Sequence, residues 1–138
     1  MGKRKIILTD SGNFPSDLYM AQGLVHLLND QLEIRICAPE EILDSLSAEI
    51  AVLMLTDVDY RTGRRHDISV ISKIAKDNGI VTIWDLAHSA GALNLNLKEW
   101  NIDYAVGCTY KYLNAGPGSP AFIYVCLLYT SPSPRDPL

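Results

Sequence analysis

Apolar and polar positions along this chain alternate between two periods. Short continuous apolar runs at residues 5–9, 32–36, 50–55, 81–84, 104–107 and 121–125 predict β-strands. Between the first two, Leu18, Ala21, Val25 and Leu28 recur at helical spacing and predict a helix over 15–29, with Asn13 or Ser16 available to cap its start. Pro39 opens a short helix over 40–46, and Asp67 caps another that runs to Asn78, where Gly79 holds the place glycine favours after a helix. Strands this uniformly apolar are covered on both sides, so the alternation predicts an α/β fold, a mostly parallel sheet with helices on both faces. In such sheets ligands bind off the carboxyl ends of the strands. Thr56 and Asp85 fall at such ends, and Lys111 lies just beyond another.

Composition narrows the picture only a little. The chain has 138 residues, the length of one domain, and is 48% hydrophobic, enough to bury a core. A formal net charge of −4 argues against nucleic acid or an anionic membrane as the main partner. Lys3-Arg4-Lys5 and the group Arg61, Arg64 and Arg65 read as solvated basic surface. Cys37, Cys108 and Cys126 have no paired spacing, which fits a reducing cytoplasm, and the amino terminus lacks the long apolar run of a secretory signal. No stretch is long enough to cross a bilayer. His26 and His66 have no second ligand at metal spacing, so no metal site is expected.

Candidate chemistry gathers in residues 83–118, where one apolar run ends in Asp85 and the next ends just before Cys108-Thr109-Tyr110-Lys111. A small-residue loop, Asn114-Ala115-Gly116-Pro117-Gly118, follows. An acid at one strand end and a lysine past the next is the arrangement that pyridoxal phosphate (PLP) requires. The cofactor needs an amine to hold its aldehyde and a carboxylate to keep its ring nitrogen protonated. Spacing alone is weak support, because a lysine after a strand is usually solvated and an acid there often caps a turn.

The longer strings carry more. Asp85-Leu86-Ala87-His88 and Tyr110-Lys111-Tyr112-Leu113-Asn114-Ala115-Gly116 resemble two motifs of the kynureninases, PLP enzymes of the aspartate-aminotransferase-like superfamily, in the same order and separation. Asn13-Phe14-Pro15-Ser16-Asp17 resembles their Phe-Pro-Ser/Thr-Asp cofactor motif, and Tyr60-Arg61-Thr62-Gly63 is a softer match. The resemblance covers residues 3–125. It implies the large domain of a fold-type-I PLP enzyme, with Lys111 as the Schiff-base lysine and Asp85 as the partner of the pyridinium. Tyr110 would contact the phosphate and take part in proton transfer. Phe14 would stack on the ring, Pro15, Ser16, Asp17 and His88 would lie beside the cofactor, and Thr56 takes the place of a Ser/Thr contact.

The implied reaction is hydrolysis of L-kynurenine or 3-hydroxykynurenine to anthranilate or 3-hydroxyanthranilate and L-alanine, a step of tryptophan catabolism toward NAD, in a cytoplasmic homodimer. Cysteine desulfurases and class V aminotransferases are the alternative within the superfamily. They typically carry a histidine before the lysine and a glutamine where His88 stands, so Tyr110 and His88 argue against them. A dinucleotide site is poorly supported, since no Gly-x-Gly-x-x-Gly follows the first strand.

Residues 1–125 are thus expected to be part of a PLP-binding domain. They lack the family's upstream phosphate loop and its later cofactor and substrate contacts, so the isolated chain is expected to be inactive, and a non-catalytic fragment is the further alternative. The proline-rich residues 126–138 read as a non-native or disordered tail.

Overall fold

The computed structural model describes residues 4–29 and 31–126; apart from Cys126, the expected tail lies outside them. All six apolar runs form strands: β1 (Ile6–Asp10), β2 (Glu33–Cys37), β3 (Ile50–Thr56), β4 (Val81–Asp85), β5 (Tyr104–Cys108) and β6 (Ala121–Val125). They make one sheet in the order β2-β1-β3-β4-β5-β6. Every neighbouring pair is parallel except β5 and β6, which are antiparallel. The expected α/β class, a mostly parallel sheet with helices, is borne out. The small-residue loop after Lys111 returns the chain directly to the sheet edge, which only an antiparallel pairing allows without a long crossover.

Three helices connect the strands: α1 (Pro15–Leu27), α2 (Ile42–Ser45), which follows a 3-10 turn at Pro39–Glu41, and α3 (Ile68–Asp77). α3 forms as its sequence dictates. The Asp67 carboxylate accepts the Val70 amide at 3.1 Å, and Ile68, Ile71, Ser72 and Ala75 are buried. Arg4, expected as free basic surface, instead donates to the Asn78 and Gly79 carbonyls at 2.9 and 2.7 Å and satisfies the end of this helix.

α1 departs from expectation in two respects. Pro15 stands at its first position, where a missing amide proton costs nothing, but Phe14 occupies the cap position and neither Asn13 nor Ser16 caps it. Of the four apolar positions expected to face the core, only Ala21 is buried, while Leu18 and Val25 are half-buried and Leu28 is exposed. Tyr19, Met20, Leu24 and Leu27 are exposed as well.

The main core lies on one face of the sheet. Leu8, Leu53, Leu55, Trp84 and Ala105 pack there against Ile42 of α2 and Ile68, Ile71 and Ala75 of α3. The Trp84 indole N–H donates to Ser72 Oγ at 3.0 Å, tying β4 to α3. Because side chains alternate along a strand, Thr56 and Asp85, at the carboxyl ends of β3 and β4, stand on the other face, in register with Val106 of β5. The candidate site residues Thr56 and Asp85 thus point away from the face that carries the main core.

Candidate active site

Asp85 ends β4, and its carboxylate accepts the Ala87 amide at 2.7 Å, closing the turn that carries His88. Leu86 donates its amide to the Val106 carbonyl at 2.8 Å, so this turn is fastened to β5. Three residues past the end of β5, Lys111 brings its Nζ to 3.2 Å from His88 Nε2. An ammonium has only protons to donate, so Nε2 accepts and the ring proton of neutral His88 sits on Nδ1. Nδ1 is buried and has no hydrogen-bond partner among the described residues. Burial first, and then the Lys111 charge, hold His88 below the ordinary imidazole pKa, while Asp85 pulls it the other way. Nζ also lies 5.4 Å from the centroid of the Tyr110 ring.

Asp17, in the first turn of α1, approaches the same acid. Burial, the negative charge of Asp85 and a carboxyl–carboxyl hydrogen bond to it push Asp17 up to about 7. Two neighbouring carboxyl groups cannot both ionise cheaply, which favours the neutral form of Asp17. A raised carboxyl pKa stabilises the fold below the ordinary carboxylate range, and that stability is lost as pH climbs through the folded-state value. Stability should therefore fall by on the order of 1 kcal/mol, discounted for solvent screening, as pH rises from about 4 to about 7. Asp17→Asn should flatten that part of the profile in urea unfolding. An unchanged slope in the variant would show that the two acids do not interact.

A cavity of about 470 Å³ opens between these elements. Phe14, Ser16 and Asp17 line it from the β1–α1 connection, Asp85 and His88 from the end of β4, and Tyr110 and Lys111 from beyond β5. Seven of the nine expected site residues thus converge, over sequence separations of nearly one hundred positions. Pro15 and Thr56 are not among the lining residues. Thr56 is buried and donates its hydroxyl to Asn13 Oδ1.

Asn13 is the first residue that sequence reasoning placed wrongly. Expected as a helix cap, it accepts the Phe14 amide at 2.8 Å and donates through Nδ2 to Thr9 Oγ1 at 3.0 Å, bolting the loop that carries Phe14 to β1 and β3. Its place directly before Phe-Pro, where the chain must turn from strand to helix, was the available signal. The second error concerns the basic group. Arg61, Arg64 and Arg65 are not simply solvated but pair with Asp59, Asp10 and Asp57, each itself buried. His66, given no role, places Nε2 at 2.6 Å from Asp10 Oδ2.

A family model, Aminotransferase class-V, matches residues 15–124. The chain belongs to the class V aminotransferase family. Within that family its sequence is similar to kynureninases. It is 52% identical over 122 residues to the kynureninase of Deinococcus radiodurans and 47% identical over 124 residues to that of Pseudomonas fluorescens. These alignments cover 88% and 89% of this chain. The resemblance read from the motifs is borne out, and the chain spans about 30% of the length of the curated relatives it matches.

Solved structures share the fold. A cysteine desulfurase of Escherichia coli superposes with a TM-score of 0.76 at 16% identity, over 88% of this chain and 32% of that one. The ureidoglycine-glyoxylate aminotransferase of Bacillus subtilis gives 0.69 at 20% identity, over 91% of this chain and 33% of that one. Among the described residues no helix is long and apolar enough to cross a membrane.

Proposed function

We propose that this chain is the ring-binding part of a kynureninase, a PLP-dependent hydrolase that cleaves L-kynurenine or its 3-hydroxy form to the corresponding anthranilate and L-alanine. The observation that carries this reading is the convergence of Asp17, Asp85, His88, Tyr110 and Lys111 on one cavity, in a chain about half identical to kynureninases. A small-molecule substrate, a cytoplasmic setting and a homodimeric parent belong to the same reading.

The residues fit the cofactor. Asp17 and Asp85 both line the cavity, and the crowding that holds Asp17 up to about 7 would be relieved by a protonated ring nitrogen standing between them. The cavity falls in the size range of small-molecule sites, roughly 300–1,000 Å³. Bound there, PLP supplies an aldehyde for capture of amines and a protonated ring that accepts electrons from the substrate's α-carbon.

Each side chain then has a definable task. Lys111 would be the amine that holds the cofactor's aldehyde and the base that moves the substrate's α-proton, with its Nζ 3.2 Å from His88 Nε2. Asp85, with Asp17, keeps positive charge on the ring nitrogen. Phe14 offers a ring face for stacking, and Ser16 and Tyr110 offer hydroxyls at the wall of the cavity. Thr56 acts through Asn13, which holds the Phe14 loop.

The test is substrate conversion by the full-length protein that carries this segment. Given PLP and kynurenine, it should release anthranilate, read by fluorescence, and the 138 residues alone should not. Cofactor binding without anthranilate, or preferential sulfur release from cysteine, would overturn the assignment to kynureninase.

A further inference from the structure

Residues 57–66, between β3 and α3, fold into a hairpin whose bonds all serve to aim its tip. Asp59 and Arg64 are joined by an amide–carbonyl bond of 2.8 Å, and Val58 bridges Arg65. The buried Asp59 carboxylate accepts the Arg61 and Thr62 amides at 2.8 and 3.0 Å, fixing the turn. At its base Arg65 Nε on Asp57 at 3.1 Å closes the hairpin on itself, and His66 Nε2 on Asp10 at 2.6 Å bolts it to β1. Asp10 also accepts the Gly12 amide at 2.8 Å, so the same acid anchors the loop that leads to Phe14.

The tip presents Tyr60. Its ring meets that of Phe14 edge-on, with centroids 5.0 Å apart and planes at 67°, and lies 6.5 Å from the His88 ring. The Arg61 guanidinium sits 5.5 Å from the Tyr60 centroid. Tyr60 does not itself line the cavity, whereas Phe14 does. The Phe14 backbone is held by Asn13, but the residue is 38% exposed and its ring needs a brace to keep one orientation. Tyr60 is that brace.

We propose that Tyr60 is a positioning residue for the cofactor ring, holding Phe14 from outside the cavity in the orientation that stacks. The inference rests on the PLP reading above and assigns to the hairpin a function that the reading does not require. Orienting the ring in advance removes part of the ordering cost of binding, so the effect should appear in cofactor affinity and geometry.

The experiment titrates the chain with PLP, following the visible absorbance and circular dichroism of the bound cofactor together with Tm. The set is the unaltered chain, Tyr60→Ala, Tyr60→Phe and Lys111→Ala. Tyr60→Ala should bind about 3- to 10-fold more weakly, the range expected for one aromatic pair, with a smaller circular dichroism signal and an unchanged Tm. Tyr60→Phe, which keeps the edge contact, should restore both. The proposal is overturned if Tyr60→Ala binds with unchanged affinity and dichroism, if Tyr60→Phe fails to rescue, or if affinity falls only in step with Tm. A Lys111-dependent band in the unaltered chain separates the two readings. If that band is missing, the cofactor reading falls and takes this one with it; if it is present and indifferent to Tyr60, only the brace falls.

Discussion

Lys111→Ala is expected to abolish covalent capture of PLP completely. Borohydride reduction of the unaltered chain with PLP should yield a stable adduct that peptide mapping assigns to residue 111. Several other lysines compete in principle, but they differ physically. Lys73 is engaged with Asp77 at 2.9 Å on the exposed side of α3, whereas Lys111 lines the cavity with its Nζ 3.2 Å from His88 Nε2. Lys111→Arg separates charge from nucleophilicity: it keeps a cation near His88, but a guanidinium stays protonated and cannot be captured by an aldehyde.

The same variants report on His88. Its pKa is held down by burial and then by the Lys111 charge, against the pull of Asp85. Removing the lysine should therefore raise it in an NMR titration, and Lys111→Arg should raise it less. An adduct that persists in Lys111→Ala and maps to another lysine would remove Lys111 from its assigned role.

What could be read from the chain and what could not divide along a physical line. That Asp85 and Lys111 lie near one edge was legible from where the apolar runs stop, while His88 came only from the resemblance to the kynureninase motifs; the three line one cavity. The α3 cap at Asp67 was legible because a cap acts over three residues. Asn13 and the hairpin were not, since their bonds join residues far apart in sequence: Thr56 to Asn13 spans 43 positions and His66 to Asp10 spans 56. No local pattern distinguishes an arginine that reaches solvent from one that clamps a buried aspartate. α1 misled for a related reason. Helical spacing gives the direction of an apolar stripe but not whether anything covers it, and in this chain only Ala21 is covered fully.

Gly91→Ala is expected to be strongly disruptive, and its effect should reach Lys111. Gly91 has φ +86°, a conformation costing an L-residue about 1–2 kcal/mol, and the added Cβ would stand 2.5 Å from the Tyr112 carbonyl oxygen and 2.9 Å from the Leu113 nitrogen. Both neighbours are backbone, so no side chain can swing away to relieve the clash. The turn that carries His88 and the loop that carries Lys111 meet at this point, and separating them lengthens the 3.2 Å contact between Lys111 Nζ and His88 Nε2. A loss of about 3 kcal/mol or more in urea unfolding is expected, together with loss of the Lys111 adduct.

Gly116→Ala isolates the backbone term. Gly116 has φ +88° on the same loop, but its Cβ would meet nothing within 4 Å, so about 1–2 kcal/mol should be lost and adduct formation retained. If the two variants prove equally stable and equally reactive, Gly91 is needed only for its dihedral angle, and the close approach of the two loops does not hold Lys111 in place.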